Sequence, residues 1–352
     1  MTKAELSILD ATLENAIKLE RFSAGEKAKV LKILTDLQRE LKAKLALDLT
    51  DFGKARVKKL LKEATAIIDG YYGDIQGKID LSNLAKIEAT ATASTFATIG
   101  LEAAIPTEAV LRALVSDTLL QGAPLKAWWA KQADDLAFRY GNAVRQGITQ
   151  GETLQQIIVR VFGSKRLGTP GVGFPDSILR RNASALVHDS IMSVSGAARM
   201  AVYEANQDIM KGYYWLSTLD GIICVRCVAR SGAQWDLDFK PINGTTVPFV
   251  RQGDLHVNCR CLVLPILKSY AELGAPDIQE PPKGTRASDL GQVDADLTFS
   301  GFLKRHSAEY QNELLGPGRA AMWRKGTITL QDLLNFQGNP LTLKQLSAKY
   351  KP

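Results

Sequence analysis

Long apolar runs are missing from this 352-residue chain. No stretch approaches the roughly 20 residues needed to cross a bilayer, and the N-terminus reads as an amphipathic helix, not a leader. The expectation is a soluble protein made in a reducing cytoplasm, with no membrane partner. Histidine is scarce at 3 copies and cysteine at 4. The phosphate-cradling motifs G-x-G-x-x-G and G-x4-G-K-[ST] are absent, even from the Gly- and Pro-rich stretch 163–175, so no nucleotide site is signalled. Charge is also moderate. A net +7 with 23% charged residues permits contact with DNA or with an acidic protein face and demands neither. What the chain does have is 45% hydrophobic residues, enough for one or two sizeable cores.

The few cysteines are gathered, not scattered. Cys224-Val225-Arg226-Cys227 is followed about thirty residues on by His256-Val257-Asn258-Cys259-Arg260-Cys261. C-x2-C followed by H-x2-C-x-C has the spacing of a structural zinc site, in which each short loop holds two ligands. Five donors compete for four positions: Cys224 and Cys227 form one pair, and two of His256, Cys259 and Cys261 complete the set. Two other readings stay open. Buried thiols can act as small hydrophobes, although packing does not need this spacing. Disulfides are the other, and a reducing cytoplasm disfavours them.

Periodicity predicts a mainly α protein: a multi-helix N-terminal half, a long central helix, a small β-rich Cys/His knot and short C-terminal helices. Residues 1–105 read as a helical region, with capping-box spacing at Thr2/Glu5 and Ser23/Glu26 and a stripe through Val30, Leu34, Leu37, Leu41 and Leu45. Lys54, Arg56, Lys58, Lys59 and Lys62 form the densest basic run, read as a solvated helix face or as a contact for DNA phosphate. Pro106 breaks the pattern, and Thr107 can cap a helix that turns Val110, Leu111, Leu114 and Val115 inward. A second stripe, Leu125, Trp129, Ala133, Leu136, Tyr140 and Val144, reads as core, and Thr153 with Gln156 caps the next helix. Asp176 opens the long helix, expected to reach about Met210 and to carry His188, to which no role is assigned.

From Tyr213 the texture becomes β-like. Strands are expected at 214–217 and 262–266, with a hairpin turn at Asn243-Gly244, because both residues tolerate positive φ. Residues 213–266 thus make the knot, in which a metal replaces the missing core. It sits within a domain spanning 106–273. Residues 274–352 read as a linker, 274–292, and a short helical tail with capping spacing at Thr329/Asp332 and Thr342/Gln345.

Five segments carry a family resemblance: G-x-P-L-x-x-W-W from Gly122, Q-G-I-T-x-G-E-T from Gln146, Y-W-L-S-T-L-D-G-I-I-C-V-R-C from Tyr214, H-V-N-C-R-C-L-V-L-P-I from His256, and the tail from Leu314 to Leu333. Together they resemble the Mu-F-like head-morphogenesis, or minor head protein, family of tailed bacteriophages. Val257 stands where that family has proline, and Gln252-Gly253-Asp254 replaces a proline-rich approach to the histidine. The resemblance implies a non-enzymatic structural component, present in few copies in the capsid interior of the virion after assembly in the host cytoplasm. The partners it implies are the portal protein, the major capsid or scaffolding protein and, non-specifically, packaged DNA.

Two alternatives use the same residues. A metal-dependent nuclease would employ His256 and Asn258 with carboxylates from Asp220, Asp236 and Asp238, but the other histidines, His188 and His306, lie far off in sequence. A zinc-stabilised DNA-binding module would use Arg226, Arg230, Arg251 and Arg260, yet no helix is expected after the second pair to enter a groove.

Overall fold

Helices α1 (Lys3–Asp48), α2 (Lys54–Lys78) and α3 (Leu81–Ala97) form the first third of the protein in a computed structural model that describes residues 3–48, 53–274, 277, 285–294 and 297–350. The reason α1 is so long is legible in its buried stripe. Leu19, Ser23, Glu26, Val30, Leu34, Leu37, Leu41 and Leu45 repeat at three- and four-residue steps and are all buried. Ser23 and Glu26 therefore lie inside a continuous helix and do not start a new one, because the periodicity runs through them in phase. Thr2 lies outside the described residues.

Then come α4 (Glu108–Asp117), the two-residue strands β1 (Leu119–Leu120) and β2 (Ala123–Pro124), α5 (Leu125–Thr149) and α6 (Leu154–Phe162). In α4 only Leu111 is buried, and Val110, expected inside, is exposed. On α5 the stripe of Trp129, Ala133, Leu136, Tyr140 and Val144 is buried as core. The Thr153/Gln156 capping box is formed reciprocally at the start of α6. A second two-residue ladder, β3 (Gly163–Ser164) with β4 (Thr169–Pro170), closes the loop before α7 (Asp176–Glu204). Among the described residues, the regular structure of the first half is thus helical apart from these two small ladders.

The long helix ends at Glu204, short of the expected Met210. Asn206 ends it: its Nδ2 donates to the Val202 carbonyl at 2.6 Å, and its Oδ1 accepts from Ala104 N at 2.8 Å. Met210 instead opens β5 (Met210–Leu216), followed by α8 (Val225–Arg230), β6 (Gln234–Asp236), β7 (Pro241–Ile242) and β8 (Leu262–Leu267). These strands make one antiparallel sheet in the order β7-β6-β5-β8, with Tyr214 opposite both Gln234 and Leu264. Leu9 of α1 packs with Leu216, Leu262 and Leu264 of the sheet.

Asn243-Gly244 does form a tight turn (φ 50° and 76°, with Thr245 N donating to Ile242 O at 3.0 Å), but it follows β7. The β6–β7 hairpin turns earlier, where the Asp236 carboxylate accepts from Asp238 N at 3.0 Å and Lys240 N at 2.8 Å. Within the expected linker, β9 (Thr285–Ser288) and β10 (Gly291–Asp294) pair as a hairpin; residues 275–276 and 278–284 lie outside the described set. Four short α-helices follow among the described residues: α9 (Phe299–Lys304), α10 (Ala308–Leu315), α11 (Pro317–Arg324) and α12 (Leu343–Lys349), the last with the Thr342/Gln345 capping box formed.

The chain divides into two compact units, neither contiguous in sequence. One comprises Met1–Lys18, Leu84–Val115 and Met192–Pro352; the other comprises Leu19–Asn83 and Ser116–Ile191. The first unit holds the sheet and all four cysteines. Its core includes a fully buried Arg199, which donates from Nε to Glu88 Oε1 at 3.0 Å, while Glu88 Oε2 accepts from Asn15 at 2.8 Å. The second unit buries the α2 and α5 stripes against each other, with Tyr72 and Trp129 ring centroids 6.2 Å apart.

Candidate metal centre

Both cysteine pairs hang from the ends of paired strands. β5 ends at Leu216, and the chain turns through Asp220-Gly221 into Cys224, which stands as N-cap of the single-turn α8. Cys227 N and Val228 N bond back to the Cys224 carbonyl at 3.0 and 2.9 Å, so both thiols sit on one tight turn. The second pair precedes β8. Asn258, at φ 59°, makes the left-handed reversal that brings His256 and Cys259 to the same side. Because β5 and β8 are paired neighbours, Leu216 opposite Leu262, the two loops emerge side by side.

The donors converge. Cys227 Sγ lies 3.0 Å from His256 Nε2 and 3.7 Å from Cys259 Sγ. The five residues fall into two trios that share Cys227, namely Cys224, Cys227 and His256, and Cys227, Cys259 and Cys261; within each, all donor atoms lie within 4.8 Å of one another. Two sulfurs held tetrahedrally at ~2.3 Å from zinc stand about 3.8 Å apart, which the Cys227–Cys259 separation of 3.7 Å matches. The group is close enough to bind a metal ion. All four cysteines are free, and three are buried; Cys224 and His256 are half-buried.

Hydrogen bonding within the cluster splits the thiols: it favours the thiolate at Cys224 and Cys259, while Cys227, bonded to its three neighbours, and Cys261, beside Cys259 and fully buried, are pushed up. Hydrogen bonding from Cys227, then from His256, brings the Cys224 thiol down to about 4. Bonds from Cys227, Cys261 and His256 hold Cys259 well below the ordinary thiol range. The same contacts, led by Cys224, raise His256 to about 10. His256 Nδ1 faces the Val257 carbonyl at 2.8 Å, which leaves Nε2 aimed at Cys227.

Arg230 supplies the independent test of fit. Its residue is 1% exposed, its Nη1 donates to the Arg226 carbonyl at 3.2 Å, and its Nε has no hydrogen-bond partner. A buried guanidinium without a carboxylate is costly. Desolvation pushes its pKa down, and what opposes this is the electrostatic influence of the thiols of Cys227, Cys224 and Cys259. A thiolate-bound cation is the state that leaves negative charge here for Arg230 to answer. Arg230 went unnoticed in the sequence as anything but a flanking basic residue, although its position three after Cys227 in a one-turn helix points it back at the cluster.

Two further devices hold the loops together. Arg260 grips Asp220 with two bonds of 2.8 and 3.0 Å, and Arg226 reaches the Leu255 carbonyl at 3.3 Å. The Gln252-Gly253-Asp254 segment anchors on α7. A Cβ at Gly253 (φ 85°) would stand 2.6 Å from Ser193 N, and Asp254 accepts from Ser193 Oγ at 3.2 Å and from Arg251 at 2.9 Å. Glycine is needed there because the loop backbone lies directly on the helix.

The residues of the two alternative readings are otherwise engaged. Asp220 belongs to Arg260, Asp236 holds its own hairpin turn, and Asp238 pairs with Lys240 at 3.0 Å. Among the described residues, neither metal-competent trio contains a carboxylate. Arg226 and Arg230 donate to backbone carbonyls, and Arg251 and Arg260 pair with Asp254 and Asp220. His188 sits between Glu20 (3.1 Å) and Asp189 (3.3 Å), and His306 stacks on Tyr310 at 3.9 Å. No helix of the described residues is long and apolar enough to cross a membrane. The chain matches no family model, no curated protein and no solved structure.

Proposed function

We propose that this chain is a non-enzymatic assembly protein, a minor head protein of a tailed bacteriophage that is held at the portal inside the capsid during head assembly. The observation that carries this reading is the closed character of the cysteine cluster. Its donors face one another, neither trio contains a carboxylate among the described residues, and Arg260 and Arg251 beside it are paired with Asp220 and Asp254. A centre in which four such donors close around one ion stabilises a fold and takes no part in chemistry. The segments that resemble the Mu-F-like family supply the identity of the assembly. The metal is zinc, which thiolate and imidazole donors suit better than they suit magnesium or calcium. It would be held by Cys227 and Cys259 with two of Cys224, His256 and Cys261, and its contribution is to cross-link two loops whose own apolar side chains, among them Leu219, Ile223, Val228 and Leu255, are already buried. Packaged DNA is a non-specific partner through the net charge of +7.

Co-expression with the cognate portal protein tests the reading. The two are expected to co-purify at moderate salt; complete separation there would overturn it. Incubation with plasmid and Mg²⁺ is expected to leave the DNA intact. Cleavage that disappears in His256→Ala would replace the assembly role with a nuclease.

A further inference from the structure

The basic run on α2 lines a groove. In the second unit, α2 and α5 bound an open depression of about 540 Å³. Its α2 wall is formed by Lys54, Val57, Lys58, Leu61, Lys62 and Thr65, at three- and four-residue steps, so one helix face about 16 Å long lines it. The α5 wall adds Arg145, Ile148 and Thr149. The groove therefore has a half-buried apolar floor of Val57, Leu61 and Ile148, bordered by four exposed cations.

Among the described residues no acid lines the groove, and Glu63, beside Lys62 in sequence, is turned to Lys44 at 2.6 Å and Lys59 at 3.9 Å. Lys54, Lys58 and Lys62 stand four residues apart, a like-charge spacing that weakens a helix. A merely solvated face would intersperse acids to relieve this. Nucleic acid would satisfy the cations but waste the floor. The groove holds no aromatic ring on which a base could stack, and phosphates gain nothing from Val57, Leu61 and Ile148. An occupant that uses both parts must be apolar along its centre and acidic along its edges.

We propose that this groove seats an acidic amphipathic helix of a protein partner. Its apolar ridge rests on Val57, Leu61 and Ile148, and its Asp and Glu side chains meet Lys54, Lys58, Lys62 and Arg145. The inference uses only second-unit residues and stands apart from the metal centre and the portal reading.

The probe is a fluorescent helical peptide of roughly 18 residues, five turns, with Leu at i, i+4, i+7 and i+11 and Glu on both flanks. Its controls are a scrambled peptide of the same composition and a short DNA duplex. Anisotropy with the full chain is expected to show saturable binding of the helical peptide, about tenfold or more tighter than the scrambled one. Lys58→Glu with Lys62→Glu, and separately Leu61→Gln, are each expected to weaken it about tenfold, with unchanged circular dichroism. Raising salt from about 0.1 to 0.5 M should reduce binding without abolishing it. Equal binding of the scrambled peptide, tighter binding of the duplex, or indifference to both variants would overturn the proposal.

Discussion

Cys227 is the donor through which both halves of the cluster meet, since it belongs to each trio and touches His256 and Cys259 directly. Cys227→Ser is accordingly expected to abolish metal binding and to cost more than about 4 kcal/mol, as loss of a structural metal does; elemental analysis and urea melts check it. Arg230 gives a subtler outcome. Arg230→Met removes the buried cation but keeps much of its packing volume, so the thiolates lose their compensating charge. The expected result is about tenfold weaker retention of metal in a chelator competition, with a far smaller effect on the metal-stripped protein. His188 yields a pH dependence in the other unit. Burial lowers its pKa, but hydrogen bonds to Asp189 and Glu20 outweigh that, and the net shift is upward. A raised folded value means a stabilising contribution fully present below the unfolded pKa of about 6.5 and lost as pH rises through the folded one. The advantage of wild type over His188→Gln in urea should therefore shrink from pH 6 to pH 9, and an advantage independent of pH would contradict the assignment. At this scale the donors could be read from spacing alone, because ligand loops are local. Arg230, Asp220 and Glu88 could not, because their partners depend on how distant segments come together.

Among the elements, the contact of α7 with the loop 252–254 decides where His256 stands. Gly253→Ala must push the loop off Ser193 and adopt a positive φ, so it is expected to cost about 2–3 kcal/mol and to loosen the second ligand pair. Hydrogen exchange across 251–261 measures this, and protection equal to wild type would show that the loop is held elsewhere. The helices with strong stripes, α1, α5 and α6, were legible because 3.6-residue periodicity reports burial of one face. Three boundaries were not. Ser23 and Glu26 imitate a cap but continue a buried stripe, which only its phase reveals. The end of α7 depends on Asn206 meeting Ala104, about a hundred residues away in sequence. The Asn243-Gly244 signal correctly announced a turn, but the strand pairing around it was set by Asp236 on the other side of β7.

For the whole molecule, the placement of every metal donor in the first unit predicts a divided response. Chelation should raise hydrogen exchange through 210–267 while leaving 19–83 and 116–191 protected. Uniform loosening of both would mean that the centre supports more than its own unit. The same division has a temporal side. Every residue of the second unit has been synthesised once Ile191 is added, whereas the first draws on segments before, within and after that stretch. The early-made unit is thus free to fold while its companion is still being synthesised, and Leu9 must wait for Leu262 and Leu264 before its side of the sheet can close.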